Sequence, residues 1–167
     1  MMSRNNENLL TVPPSIELLF NNEKLDLMKV LCLMYAFSRQ SNKRRKIGEI
    51  LFYYSLVNFN LLRLFEENEV SHNGSVPSPN LYFRFQKKIN SIILNMSNLE
   101  FVTVHGDISK KLDDITVQLR PKGKAFFEEQ SSGFFESLQK KYTATFEEVA
   151  FSASNLKVLK GMQQWGK

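Results

Sequence analysis

The chain has 167 residues, which is long enough to bury a hydrophobic core without disulfides or a structural metal. Its composition, 43% hydrophobic and 23% charged, is typical of a globular protein. The net charge of +5 permits contact with nucleic acid but does not require it. A single cysteine, Cys32, excludes an internal disulfide framework and predicts a reducing compartment. The N-terminus lacks a signal-peptide pattern, and no run of about 18 uncharged apolar residues exists, so we expect a soluble, cytoplasmic protein.

The first half of the chain predicts two long helices behind a polar, flexible arm at residues 1–15. Apolar side chains recur at helical spacing from Leu25 to Gln40, and this helix is expected to be buried on nearly all sides. A basic turn at residues 43–46 follows it. The second helix is predicted from Ile47 to Asn68 with a break near Asn58.

The middle of the chain predicts a loop, a third helix and a β-hairpin. Residues 70–80 are rich in Ser, Asn, Gly and Pro and are predicted to form a loop. A serine followed by a proline then predicts a helix from Pro79 to Ser97. Two β-rich segments, Glu100–Val104 and Ile115–Leu119, are separated by a polar loop and predict a hairpin, the only sheet expected.

The C-terminal part of the chain predicts further helices. One begins at residues 120–124, with a possible break at Gly133, and the last is expected from Thr143 to about Met162. The order helix, helix, loop, helix, hairpin, helix is that of a winged helix-turn-helix module. We therefore predict a mainly α fold with a small β-hairpin: a winged-helix-like domain at residues 16–128 and a C-terminal helical tail at residues 129–167.

Basic residues are the candidates for contact with DNA. In a winged helix, Pro79–Ser97 would be the recognition helix and residues 106–114 the tip of the wing, and cations there commonly contact phosphates. The recognition helix offers few side chains that read bases, which favours contact without sequence preference. A solvated helix face, an ordinary loop and a cluster at a helix C-terminus would explain the same residues. The candidates are Lys43, Arg44, Arg45, Lys46, Arg84, Lys87, Lys88, Lys110 and Lys111.

Phenylalanines are the candidates for contact with a protein partner. The chain has 14 of them, more than one small core is expected to hold, and aromatic side chains concentrate in interface cores. Packing of the tail onto the domain would explain them equally well. The candidates are Phe126, Phe127, Phe134, Phe135, Phe146 and Phe151.

No pattern in the sequence points to catalysis. The two histidines, His72 and His105, lack ligand-like spacing to Cys32 or to a carboxylate pair. The three aspartates of the wing loop, Asp107, Asp113 and Asp114, are interpreted as a solvated turn rather than as a cation site. We therefore predict a binding protein without catalytic residues, metal or cofactor, and an enzyme with an unrecognised motif stays as an alternative.

The segment from Leu25 to Phe37, the basic turn and the aromatic helix Ile50–Phe59 together resemble a known family. They resemble the small middle component of bacterial three-component ABC systems, which include the Lamassu-type anti-phage defence complexes. The resemblance extends over residues 25–125 and implies a non-catalytic accessory subunit. It implies partners of two kinds, an SMC-like ATPase with coiled-coil arms and an effector such as a nuclease.

The sequence therefore favours an accessory subunit in a hetero-oligomer, with protein as the main partner and double-stranded DNA as a charge-driven second contact. A stand-alone winged-helix transcriptional regulator that dimerises through its tail helices is the alternative. A phage or plasmid packaging or replication factor is a weaker third.

Overall fold

The computed structural model of the chain describes residues 22–66, 80–106, 114–130 and 132–161. Predictions for residues 1–15, for the loop at 70–79, for most of the wing tip and for the C-terminal residues 162–167 lie outside these ranges. The described elements, in chain order, are α1 (Glu23–Gln40), β1 (Arg45–Lys46), α2 (Ile47–Asn58), a 3₁₀ helix (Leu61–Phe65), α3 (Asn80–Asn98), β2 (Val102–His105), β3 (Thr116–Leu119), α4 (Pro121–Gln130), α5 (Gly133–Glu148) and α6 (Ala153–Leu159).

The first two helices confirm the sequence pattern. Residues 30–37 of α1 are all buried, because the run of apolar side chains leaves no polar face in this part of the helix. The second helix ends at Asn58, close to the predicted break, since Asn60 adopts a left-handed backbone conformation with φ of 57° that cannot continue a helix. The 3₁₀ helix Leu61–Phe65 follows.

The sheet has three antiparallel strands in the order β1-β3-β2. In the predicted hairpin, Val102 lies opposite Leu119 and His105 opposite Thr116. The expectation that the hairpin is the only sheet element was wrong, because Arg45 and Lys46 pair with Val117 and Thr116. A strand of two residues is too short to show an alternating pattern. With β1 placed between α1 and α2, the elements keep the predicted winged-helix order.

Gly123 explains why α4 can pack against the start of β2. A Cβ atom at this position would lie 2.4 Å from the Phe101 carbonyl oxygen and 2.9 Å from the Phe101 Cα. The backbone of α4 therefore comes closer to Phe101 than any side chain allows. The same carbonyl accepts a hydrogen bond of 2.8 Å from the Arg120 N–H, which fixes the start of the helix.

The helices after the sheet belong to the same hydrophobic core as the winged-helix elements. Leu138, Tyr142, Val149 and Leu159 are buried in one cluster with α1, α2 and α3. The boundary predicted at residue 128 falls inside α4. Packing of α5 along α1 and α2 makes the predicted tail an integral part of the fold.

The start predicted for the last helix, Thr143, was wrong. Helix α5 begins at Gly133, where a break was predicted, and continues through Thr143 to Glu148. The chain is then extended at Val149, and the Ser152 hydroxyl caps α6 by accepting the Asn155 N–H at 3.1 Å. In the described part of the chain, no helix has the length and apolar character needed to cross a membrane.

Candidate binding surfaces

One of the six candidate phenylalanines is buried, and two others pack against the core while staying partly exposed. Phe127 is 1% exposed, and its ring centroid lies 4.6 Å from that of Tyr35. Phe146 stacks on Phe37 at 4.6 Å, and Phe151 packs on Phe52 at 5.4 Å. For Phe127 the prediction of partner contact is therefore corrected, because its ring is buried in the core, as the alternative explanation held. Phe146 and Phe151 are only partly buried against the core, so partner contact through them stays a prediction.

The other three phenylalanines lie at an apolar groove. The groove has a volume of about 510 Å³ and opens between the N-terminal half of α1, the turn after α3, and the two helices α4 and α5. Phe134 lies beside it, 55% exposed, with its ring edge-on to Phe135 at 5.0 Å. We call this depression the apolar groove. Its lining residues are Lys24, Leu27, Met28, Leu99, Phe101, Phe126, Gln130 and Phe135.

Local structure explains why the groove forms. Glu100 has a left-handed φ of 64°, which turns the chain sharply from α3 into β2 and leaves Leu99 46% exposed at the turn. Phe126 stacks on Phe101 at 4.7 Å and lines one wall of the groove. At the other wall, the Phe135 carbonyl accepts a hydrogen bond from the Cys32 thiol, with 3.4 Å between sulfur and oxygen. This bond connects α5 to α1.

The lining residues outside α4 and α5 were not predicted as site residues. Leu27 and Met28 belong to a helix that has apolar residues on almost all sides. This excess of apolar residues is the sequence feature that could have identified them as site residues. Leu99 and Phe101 flank a turn that depends on the left-handed backbone of Glu100. The periodicity of apolar residues does not predict a turn of this kind.

Among the candidates for DNA contact that the structure describes, Arg45 is the one that is buried. Its side chain is 8% exposed and bonds Glu49 at 3.4 Å. Its guanidinium lies 4.4 Å from the centroid of the Phe37 ring and donates to the Ser41 carbonyl at 3.4 Å. Because Arg45 is held inside by these contacts, its predicted contact with phosphate is corrected.

The remaining described candidates are exposed but form two separate groups. Lys43, Arg44 and Lys46 flank or belong to β1, which pairs with β3 and packs on α2. Arg84, Lys87 and Lys88 lie on the outer face of α3. The structure therefore does not join these two groups into one surface. Lys110 and Lys111 lie outside the described residues.

The outer face of α3 is of mixed character. The helix carries no acidic residue of its own, but Lys87 and Lys88 line a cleft of about 370 Å³ together with Glu23 and Asp26 of α1. Three large apolar side chains are also exposed along α3, and they are Leu81, Phe83 and Leu94. A face that combines cations, nearby carboxylates and apolar groups is less suited to a phosphate backbone than a uniformly basic one.

Metal coordination is not supported by the described residues. Within the ranges given above, no three His, Cys, Asp or Glu side chains come together as a metal site. Asp114 is exposed, and Asp107 and Asp113 lie outside the described residues.

Comparison with known proteins does not connect the chain to a family. No family model matches it, and neither a curated protein nor a solved structure is significantly similar to it. The winged-helix assignment therefore depends on the order and pairing of the elements alone.

Proposed function

We propose that this chain is a non-catalytic accessory subunit that binds a protein partner through the apolar groove and touches DNA without sequence preference. In this proposal it bridges an SMC-like ATPase and an effector subunit of an anti-phage defence complex in the cytoplasm. The observation that supports it is the open apolar groove with Phe134 beside it. Buried aromatic anchors surrounded by other apolar contacts supply most of the binding energy of protein interfaces.

The groove suits a protein partner better than a small molecule. Six of its eight lining side chains are apolar, and the polar ones, Lys24 and Gln130, are single long side chains. Small-molecule sites normally add several converging polar groups that fix the orientation of the ligand. A helix that inserts apolar side chains at positions i, i+3 and i+4 needs no such groups.

A stand-alone regulator that binds DNA is the second candidate. The observation in its favour is α3, which presents Arg84, Lys87 and Lys88 and has no acidic residue along 19 positions. A regulator of this kind is expected to purify as a symmetric homodimer and to prefer one operator sequence. An accessory subunit is expected to purify with a larger ATPase.

Co-expression with the products of the adjacent genes tests the proposal. The tagged chain is expected to retain an ATPase with long heptad arms through size-exclusion chromatography. The double variant Phe134→Ala, Leu99→Ser is expected to weaken this association by at least about tenfold, since truncating a central interface anchor costs on the order of 2 kcal/mol. Both side chains are about half exposed in the free chain, so its folding is expected to persist.

The matched control is Leu94→Ser. Leu94 is 46% exposed, the same fraction as Leu99, but it lies outside the groove on α3. Association is expected to survive this substitution. Equal retention of the ATPase by the groove variant and the control, or a symmetric homodimer with no ATPase bound, would contradict the proposal.

A further inference from the structure

A second basic surface lies where α1, β1 and α4 meet. A shallow cavity of about 280 Å³ brings Ser38 and Asn42, at the end of α1, together with Arg120 and Lys124 of the α4 start. The Gln118 amide donates a 2.7 Å hydrogen bond to the Asn42 carbonyl, which holds this segment against β3. The basic turn follows directly after Asn42, so the structure places it beside the cations of α4.

We call this region the base surface, because it lies at the end of the sheet opposite the pair formed by His105 and Thr116. In the register of the sheet, Arg45 pairs with Val117, so the chain before Arg45 runs toward the end of β3 and the start of α4. Six cations, all exposed, belong to the base surface, and they are Arg39, Lys43, Arg44, Arg120, Lys122 and Lys124.

The base surface has a large excess of positive charge. Among the described residues, Lys122 is the one member that forms an ion pair, at 3.5 Å from Glu100, and both partners are about 60% exposed. Of the carboxylates around the base surface, Glu128 accepts a hydrogen bond from the Tyr35 hydroxyl and Glu49 pairs with Arg45. Four of the cations, Lys43, Arg44, Arg120 and Lys124, have no carboxylate partner in the described part of the chain.

We propose that the base surface, rather than the outer face of α3, binds the phosphate backbone of double-stranded DNA. Surfaces that bind DNA are polar and strongly positive, whereas surfaces that bind protein contain apolar anchors. Among the residues that the structure describes, the exposed large apolar ones are Leu81, Phe83, Leu94, Leu99 and Phe134, and none of these belongs to the base surface.

The start of α4 adds to the preference for an anion. The first turn of the helix contains no acidic residue, and the N-terminal end of a helix carries a partial positive charge. The inference deepens the DNA contact of the proposed function, but it does not depend on the protein partner, because the cations belong to this chain.

Binding of the isolated full-length chain to a short, mixed-sequence DNA duplex tests the inference. Fluorescence anisotropy measures the dissociation constant over a range of salt concentrations. The variant Lys43→Gln, Arg44→Gln, Arg120→Gln, Lys124→Gln is expected to bind at least about tenfold more weakly at low salt. The slope of log affinity against log salt is expected to become shallower by about 0.9 for each phosphate that the variant no longer neutralises.

Two control variants make the test specific. Lys140→Gln, Lys141→Gln neutralises exposed lysines of α5 and is expected to leave affinity nearly unchanged. Arg84→Gln, Lys87→Gln, Lys88→Gln neutralises the outer face of α3 and is expected to weaken binding less than the base-surface variant. If the fourfold variant unfolds at a lower temperature, the pair Lys43→Gln, Arg44→Gln, which lies in the turn before β1, replaces it.

Three outcomes would overturn the inference. The first is no measurable binding of the duplex by the unmodified chain. The second is a loss of affinity caused by the α3 variant and not by the base-surface variant. The third is stronger binding of poly-glutamate than of the duplex at equal charge, which would mark the base surface as a site for an acidic protein. Because no partner protein is present, these outcomes do not depend on assembly of the proposed complex.

Discussion

Single residues of the same type have opposite roles in this chain, and the glycines of α4 and α5 are the clearest case. A Cβ atom added at Gly123 would lie 2.4 Å from the Phe101 carbonyl oxygen. A Cβ atom added at Gly133 would have no neighbour within 4 Å. The first glycine is required by a close approach between backbones. The second is simply a helix residue with poor propensity.

Substitution of Gly123 by alanine is expected to lower the free energy of unfolding by about 1–3 kcal/mol. The added methyl group meets backbone atoms, so α4 must move away from Phe101 and weaken the Phe126 contact at the groove. Urea unfolding followed by circular dichroism measures the change. Gly133→Ala is the control, and it is expected to be neutral or to stabilise by about 0.5–1 kcal/mol. Equal stability of both variants would show that α4 is free to shift.

The role of individual side chains was harder to predict from sequence than their type. Phe126 and Phe127 are neighbours in sequence, yet one lines the groove and the other is buried on Tyr35, because adjacent helix residues point about 100° apart. Arg44 and Arg45 differ in the same way, since alternate residues of an extended segment point to opposite sides. The sequence shows which residues are aromatic or basic, but only the packing of the elements decides which face each one occupies.

At the scale of elements, a polar junction holds α1, α2 and α5 together. The Tyr142 hydroxyl of α5 donates to the Lys29 carbonyl of α1 at 3.1 Å and accepts from the Asn58 amide of α2 at 2.8 Å. Tyr142 is fully buried, so water cannot replace these partners. This junction adds buried hydrogen bonds to the apolar packing of α5 on α1 and α2.

Substitution of Tyr142 by phenylalanine is expected to destabilise the protein by about 1–3 kcal/mol, because the Lys29 carbonyl and the Asn58 amide are then left without this buried hydrogen-bond partner. Tyr35→Phe is the matched control. Its hydroxyl donates to Glu128, which is exposed and can be solvated again, so a decrease of at most about 0.5 kcal/mol is expected. Chemical denaturation of both variants checks the difference. Equal destabilisation would mean that the three-helix junction contributes no more than a surface hydrogen bond.

Strong periodicity made some elements predictable, and weak local signals hid others. Helices α1 and α3 and the hairpin were predicted nearly at their observed bounds, because their apolar spacing or β-branched runs extend over many residues. Strand β1 was missed because its two residues pair with a strand about 70 positions away. The C-terminal helix bounds were wrong because the extended segment after Glu148 contains no proline and no glycine. The basic turn was identified, but its position beside Arg120 and Lys124 depends on the fold.

At the scale of the whole molecule, buried ionisable groups link stability to pH. Burial raises the pKa of the Cys32 thiol from 9.0 to about 12. Burial also raises the pKa of Tyr54, reinforced by the Asp26 carboxylate, and raises that of Tyr142 well above the ordinary value of 10.0. These groups lie on α1, α2 and α5, so the same three-helix core contains all of them. The folded state therefore keeps protons that the unfolded chain releases at lower pH.

The sign of the effect is a loss of stability in alkali. Below about pH 9, folded and unfolded states are both protonated at these groups, and their full contribution to stability is present. Above pH 9 for Cys32, and above pH 10 for the tyrosines, the unfolded chain ionises first. Each group then lowers the free energy of unfolding by about 1.4 kcal/mol per pH unit until its folded pKa is reached.

Urea unfolding at a series of pH values between 7 and 11 measures this loss, and Cys32→Ala isolates one group. In this variant the fall in stability between pH 9 and pH 11 is expected to be shallower by up to about 1.4 kcal/mol per pH unit, even though its stability at neutral pH is lower. Thiol labelling gives an independent readout, because a buried, protonated Cys32 is expected to react only as fast as the three-helix core opens. The contradicting result is the same loss of stability per pH unit in both proteins together with rapid labelling at pH 8. It would mean that α5 separates from α1 often enough to expose the thiol. The core would then consist of two parts that meet at this interface.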